Sequence, residues 1–205
     1  MESHVEREER RIGADLAVNL GSARPPTTLT FLPKEHAKCP EVSLKPLLFC
    51  DIDGVLSLFG FPAHSVPEGT WTQVDGIAHL LSARASRNLL DLDAHYDVMW
   101  CSGWEERANE HLPHLLGLGP YAHLSFPRNP QAEHWKLATV REAAAGRALA
   151  WIDDDFNEAC HAWARAREEP TLLVPTEPAT GLTDELAQQL RAWAESLRPG
   201  PAADA

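Results

Sequence analysis

Lysine is scarce in this chain. Its 205 residues hold only Lys34, Lys38, Lys45 and Lys136, and Lys and Arg together number 18 against 30 Asp and Glu, a formal net charge of -12. That balance excludes broad electrostatic attachment to nucleic acid or to an anionic membrane and leaves room only for a local basic patch. Cysteine is sparse too: Cys39, Cys50, Cys101 and Cys160 form no CxxC or other zinc-like spacing. Two of them fall inside apolar runs, which suits free thiols in a reducing compartment. No apolar run approaches the length of a membrane span, and Met1 to Arg7 has no hydrophobic signal region. A cytoplasmic protein with no membrane partner is the expectation. There is no GxxxxGK[ST], and Gly117-Leu118-Gly119 is too short for a dinucleotide motif. His111, His114 and His123 lack a further ligand at zinc spacing, so the histidines read as packed or exposed.

What is present is an ordinary apolar content of 44%, enough for one domain with a core. Residues 1–44 read as a flexible N-terminal extension, with a charge run from Glu6 to Arg11 and prolines at 25, 26, 33 and 40. Residues 45–198 read as the folded domain and 199–205 as a disordered tail. Within the domain, apolar runs expected to be strands cover Leu47 to Asp51, Asp97 to Cys101, Leu124 to Phe126, Ala148 to Ile152 and Thr171 to Val174. Helices are expected over Ser86–Leu92, Glu105–Leu116, Glu133–Ala145, Phe156–Glu168 and Asp184–Leu197. Val55 to Gly76, rich in Gly, Pro and aromatics, reads as a loop with room for a hairpin, long enough to lie over a site. Strands that are continuously apolar and alternate with helices indicate a five-stranded parallel sheet covered on both faces, an α/β fold in three layers.

Three of these strands end in polar residues. The first runs into Asp51-Ile52-Asp53-Gly54, the second into Ser102-Gly103, and the fourth into Asp153-Asp154-Asp155. Asp disfavours strands, and a turn could account for one such end. In a parallel sheet, however, the ends lie together at the carboxyl edge, where α/β sheets bind ligands. Clustered carboxylates repel unless something positive joins them. A hard cation with oxygen ligands, Mg²⁺ first among them, is the natural partner. Ser102, Gly103 and Lys136 are the groups suited to phosphoryl oxygens, by hydrogen bonding and by point charge. Lys136 is the one lysine between the second and fourth strands.

The order Asp51-Ile52-Asp53-Gly54, strand-Ser102, Lys136, strand-Asp153-Asp154 resembles the haloacid dehalogenase (HAD) superfamily of aspartate-nucleophile phosphotransferases, over about Leu47 to Leu197. The resemblance implies a Rossmann-like HAD fold and roles for these residues. Asp51 is the expected nucleophile, forming an aspartyl-phosphate, and Asp53 the expected acid and base. The metal is expected on Asp51, the Asp53 backbone carbonyl and Asp153 or Asp154. Ser102, Gly103 and Lys136 are expected to clamp the phosphoryl group. An acid at Asp53 favours phosphate-ester hydrolysis over dehalogenation. Few residues separate the motifs, so no large cap domain is expected, and an open site would admit a bulky phosphorylated substrate. The expected function is a Mg²⁺-dependent phosphatase. Small HAD domains of this kind also resemble those attached to RNA-repair enzymes, so a polynucleotide end phosphatase is one alternative, although the net acidity counts against it. A non-catalytic HAD-like binding or regulatory module is the other.

Overall fold

The computed structural model describes residues 45–127 and 133–198; the expected N-terminal extension and C-terminal tail lie outside the described residues. Five strands, β1 (Leu47–Cys50), β5 (Asp97–Trp100), β6 (Ala122–His123), β7 (Leu149–Asp153) and β8 (Thr171–Pro175), form one sheet in the order β6-β5-β1-β7-β8. Every pairing in it is parallel. β1 lies in the middle, which requires apolar side chains on both faces, and all four of its residues are buried.

The pleat of β1 sorts the core into two layers. Leu48 and Cys50 face a cluster built with α1 (Ala83–Asp93), α2 (Arg107–Leu116) and α5 (Asp184–Ser196), including Leu89, Leu112 and Leu190. Leu47 and Phe49 face a second cluster with α3 (Leu137–Ala143) and α4 (Glu158–Ala166), including Val140, Trp151 and Cys160. The result is the three-layer α/β/α architecture expected from the apolar runs. Helix starts follow local chemistry. Ser82, Asn157 and Thr183 each accept a backbone N–H of the first turn of α1, α4 and α5, and Asp184 and Glu185 sit at the positive end of α5.

The register brings the polar strand ends to one level. Cys50 lies opposite both Trp100 and Ile152. The ladder continues past the strand ends: Asp51 N–H donates to Ile152 C=O at 3.0 Å, and Cys101 N–H to Cys50 C=O at 2.8 Å. Asp51, Ser102 and Asp153 therefore leave the sheet together.

One local expectation is extended and two are corrected. The stretch after Gly54 does hold a hairpin, and the antiparallel structure extends beyond it: β2 (Ser57–Leu58), β3 (Gly69–Val74) and β4 (Ile77–Ser82) form a three-stranded sheet in the order β2-β4-β3. Asp75 and Gly76, at φ 53° and 79°, make the two-residue turn between β3 and β4, the pairing that matches strand twist in a tight hairpin. The strand expected at Leu124–Phe126 is centred earlier, at Ala122–His123, because Leu124 N–H already closes the ladder onto Trp100 C=O. The helix expected from Glu133 begins only at Leu137. His134 is held instead, its Nε2 2.9 Å from Asp155 C=O and its Nδ1 accepting from Lys136 N–H.

Gly181 sits against the turn that follows β1. Its φ is 61°, and a Cβ there would lie 2.2 Å from the Val55 carbonyl oxygen. Gly181→Ala therefore meets both backbone strain and a clash with main chain. The expected loss is about 2 kcal/mol or more, read from denaturant midpoints; a loss below about 0.5 kcal/mol, the range of an ordinary surface change, would contradict this packing.

Candidate active site

Lys136 is the centre of the carboxyl edge. Its Nζ donates to Asp51 Oδ2 at 2.6 Å and to Asp153 Oδ2 at 2.7 Å. The ammonium thus joins the ends of β1 and β7. All three side chains are buried; Lys136 is 2% exposed and Asp153 fully enclosed. Both carboxylates have further donors. Ile52 N–H donates to Asp51 Oδ1 at 2.7 Å, Trp151 Nε1 to Asp153 Oδ2 at 3.0 Å, and Asp155 N–H to Asp153 Oδ1 at 3.1 Å. Lys136 is aimed by the turn before α3, which the His134 contacts fix.

Two buried carboxylates face one ammonium with Asp154 beside them, so full ionisation of all three acids would leave the group with surplus negative charge. The electrostatics reflect this. Burial pushes the Asp51 carboxyl above the ordinary carboxylate range, against the opposing pull of Lys136, Ile52 N–H and Ser102. Burial and then the Asp51 charge push Asp153 up, and the same two causes raise Asp154. Burial alone would lower Lys136, but Asp51 and Asp153 more than reverse this and hold it well above the ordinary lysine range. Oxygens of Asp51, Asp153 and Asp154 lie within 4.8 Å of one another. Two ligands on one Mg²⁺-sized ion stand at most about 4.2 Å apart, so the three are spaced such that they could hold a hard cation. The donor set and the surplus charge both fit such an ion.

The three acids, Asp53, Ser102, Gly103, Trp135, Lys136 and Asp155 line one open cavity of about 420 Å³. The structure thus brings together every residue the sequence points to: Asp51, Asp53, Ser102, Gly103, Lys136, Asp153 and Asp154. Asp155 turns outward and is exposed. Cys101, adjacent to Ser102, points instead into the second core cluster, where burial pushes its thiol up; burial does the same to Cys50. Gly54 has φ 73°, and a Cβ on it would sit 2.4 Å from Asp154 Cγ, so both the turn and the second acid require glycine there. A larger cavity of about 570 Å³ lies at the opposite, amino edge of the sheet, lined by Lys45, Pro46, Arg147 and Pro170 among others, but it gathers no comparable set of acids.

Sequence reasoning missed the company Asp53 keeps. Trp104 Nε1 donates to Asp53 Oδ2 at 2.9 Å, and His79 Nδ1 on β4 stands 3.4 Å from Asp53 Oδ1. It also missed Trp135, 42% exposed at the rim with Lys136 Nζ 4.9 Å from its ring centre. The Asp75-Gly76 turn is the one local signal that could have placed His79 on a strand; nothing local marks its approach to Asp53.

A family model described as the HAD domain in Swiss Army Knife RNA repair proteins matches residues 47–187, from the first residue of β1 into α5. No curated protein matches the chain.

Removing the lysine exposes the charge imbalance. Lys136→Met leaves Asp51 and Asp153 buried without their cation, at an expected cost of about 3–5 kcal/mol at neutral pH in the absence of divalent cation. Burial already makes both acids hold a proton more tightly in the folded chain, and Lys136 opposes that rise. Without Lys136 they hold it more tightly still, so the variant gains more than the unsubstituted protein as pH falls through the range above ordinary carboxylate values. The deficit against the unsubstituted protein should therefore shrink on acidification, as followed by denaturant titration at several pH values. A deficit that is constant with pH would contradict the assignment.

Proposed function

The chain belongs to the haloacid dehalogenase superfamily, in the family of HAD domains of RNA repair proteins, and we propose that it is a Mg²⁺-dependent phosphatase working through an aspartyl-phosphate on Asp51. Membership supports a hydrolase of phosphorylated substrates. The observation that carries the finer reading is the buried Lys136 bridging Asp51 and Asp153, with Asp154 beside them.

In this reading Asp51 attacks phosphorus as the bond to the leaving oxygen breaks. The electron pair goes to that oxygen, and protonated Asp53 supplies its proton, releasing the alcohol. Water then attacks the phosphoryl group on Asp51 while Asp53 takes its proton. The acyl-phosphate bond breaks, the Asp51 carboxylate is restored and inorganic phosphate leaves. Lys136, the Ser102 hydroxyl and the backbone at Gly103 hold phosphoryl oxygens. Asp51, Asp153 and Asp154, with the backbone carbonyl of Asp53, hold the cation, which when bound supplies the positive charge that lets an anionic ester approach an anionic nucleophile.

The site is open, and the three-stranded sheet of β2, β3 and β4 is too small to be a separate cap domain. An open site supports a bulky substrate. The RNA-repair description of the family favours a phosphorylated polynucleotide end. With a net charge of -12, such a substrate would be read at its terminus rather than along its backbone. The buried free thiols Cys50, Cys101 and Cys160 support a reducing, cytoplasmic setting, and no helix among the described residues is long and apolar enough to cross a membrane. The alternative of a non-catalytic module is disfavoured by the complete set of groups.

Hydrolysis of p-nitrophenyl phosphate should require a divalent cation and should fall on the order of a thousandfold or more in Asp51→Asn, with an unchanged circular dichroism spectrum. Across small phosphate esters and end-phosphorylated oligonucleotides, the oligonucleotides should give the highest kcat/KM. A protein with Mg²⁺ that turns over nothing on this panel would refute the phosphatase, and a preference for small sugar phosphates would refute the polynucleotide end.

A further inference from the structure

The antiparallel sheet that follows Gly54 delivers one side chain to the site. His79, on β4, is 11% exposed at the side chain, while the Asp53 carboxylate it faces is 48% exposed. A half-exposed carboxylate on a turn has several staggered orientations open to it. Only one can point its proton at a leaving oxygen, so something must select it.

Two groups stand against the carboxylate. Trp104 Nε1 donates to Asp53 Oδ2 at 2.9 Å, and His79 Nδ1 stands 3.4 Å from Oδ1. The imidazole is itself located. The buried Ser57 hydroxyl lies 2.9 Å from the same Nδ1, and the Trp104 ring meets the His79 ring edge-on at 4.8 Å between centres. The hairpin that carries His79 is tied down at its tip, where Asp75 pairs with Arg107 at the start of α2. Ser57 is joined to the turn after β1, its N–H donating to Ile52 C=O at 2.8 Å and its C=O accepting from Gly54 N–H at 2.8 Å.

Resting on the phosphatase reading, we propose that His79 is a positioning residue: with Ser57 behind it and Trp104 opposite, its Nδ1 edge fixes the Asp53 carboxyl in the orientation that protonates the leaving oxygen. His79 touches neither substrate nor metal in this arrangement. The hairpin's contribution to the reaction is therefore orientation of the acid, in addition to any cover it gives the site.

The leaving group provides the test. A phenolate departs with little help from an acid, whereas an alkoxide needs its proton in the transition state. Using kcat/KM, which reports steps up to phosphoryl transfer, the unsubstituted protein, Asp53→Asn, His79→Ala and His79→Asn are compared on p-nitrophenyl phosphate and on an alkyl phosphate. Asp53→Asn should lose far more on the alkyl ester. His79→Ala should show the same selectivity in weaker form, with the alkyl-to-aryl ratio lowered about tenfold or more. His79→Asn, whose amide nitrogen can stand where Nδ1 stood, should recover most of that ratio. If His79→Ala does not fold, His79→Phe keeps the ring and loses the nitrogen, and should show the same lowered ratio. Equal losses on both esters in the His79 variants, while Asp53→Asn stays selective, would overturn the role of His79 and leave the phosphatase standing. An unselective Asp53→Asn, or no turnover at all, would overturn the phosphatase reading and this proposal with it.

Discussion

The site depends on one ammonium held between two buried carboxylates. Lys136 reaches Asp51 at the end of β1 and Asp153 at the end of β7, and among the described residues it is the one cation in ion-pair contact with them. Burying charge is costly, and breaking such a group by removing one partner costs more than the group contributes when intact. An arrangement of this kind is explained by what it does when a ligand arrives. In the proposed reading, a cation reaching Asp51, Asp153 and Asp154, and a phosphoryl group reaching Lys136, would each find the opposite charge already in place. Interactions in such a site are stronger than in solution and need no reorganisation at the moment of reaction.

The sheet makes this possible by topology rather than by strength. Placing β1 centrally puts the strands that carry Ser102 and Asp153 on either side of Asp51. The register then sets all three at the same height, so none needs a long reach. The apolar residues of β1 and β7 do the structural work, with Leu48, Phe49, Trp151 and Ile152 fully enclosed. Each such side chain contributes roughly 1.5–3 kcal/mol by burial, which offsets the cost of the charged edge. Residues that stabilise the sheet and the acids of the candidate site are thus neighbours at the ends of β1 and β7, separated by a single step in the chain.

Most of the candidate site could be read from the sequence because its residues sit at fixed offsets from apolar runs. Asp51 follows the last residue of β1, Ser102 comes two residues after β5 ends and Asp153 closes β7, and strand ends are legible from hydrophobicity. Lys136 could be found by position in the chain, but not its setting. Glu133 to Trp135 have helical composition, yet the His134 contact with Asp155, 21 residues away, holds them in a turn. The small antiparallel sheet was obscured for a different reason. Five of the six residues of β3 lack full burial, so no apolar alternation marks it, and Asp75-Gly76 was its only clear sign. His79 stood beyond local reasoning altogether, since its relation to Asp53 exists only once β4 has folded back over the turn after β1.

The proposal stands on Asp51 acting as a nucleophile preset by Lys136 and a bound cation. Beryllium fluoride mimics a phosphoryl group and forms an adduct only with a carboxylate so placed. In fluorine NMR of the protein with Mg²⁺ and beryllium fluoride, bound resonances should appear that vanish on omission of Mg²⁺ and in Asp51→Asn. Bound resonances that survive Asp51→Asn, or none in the unsubstituted protein, would contradict it.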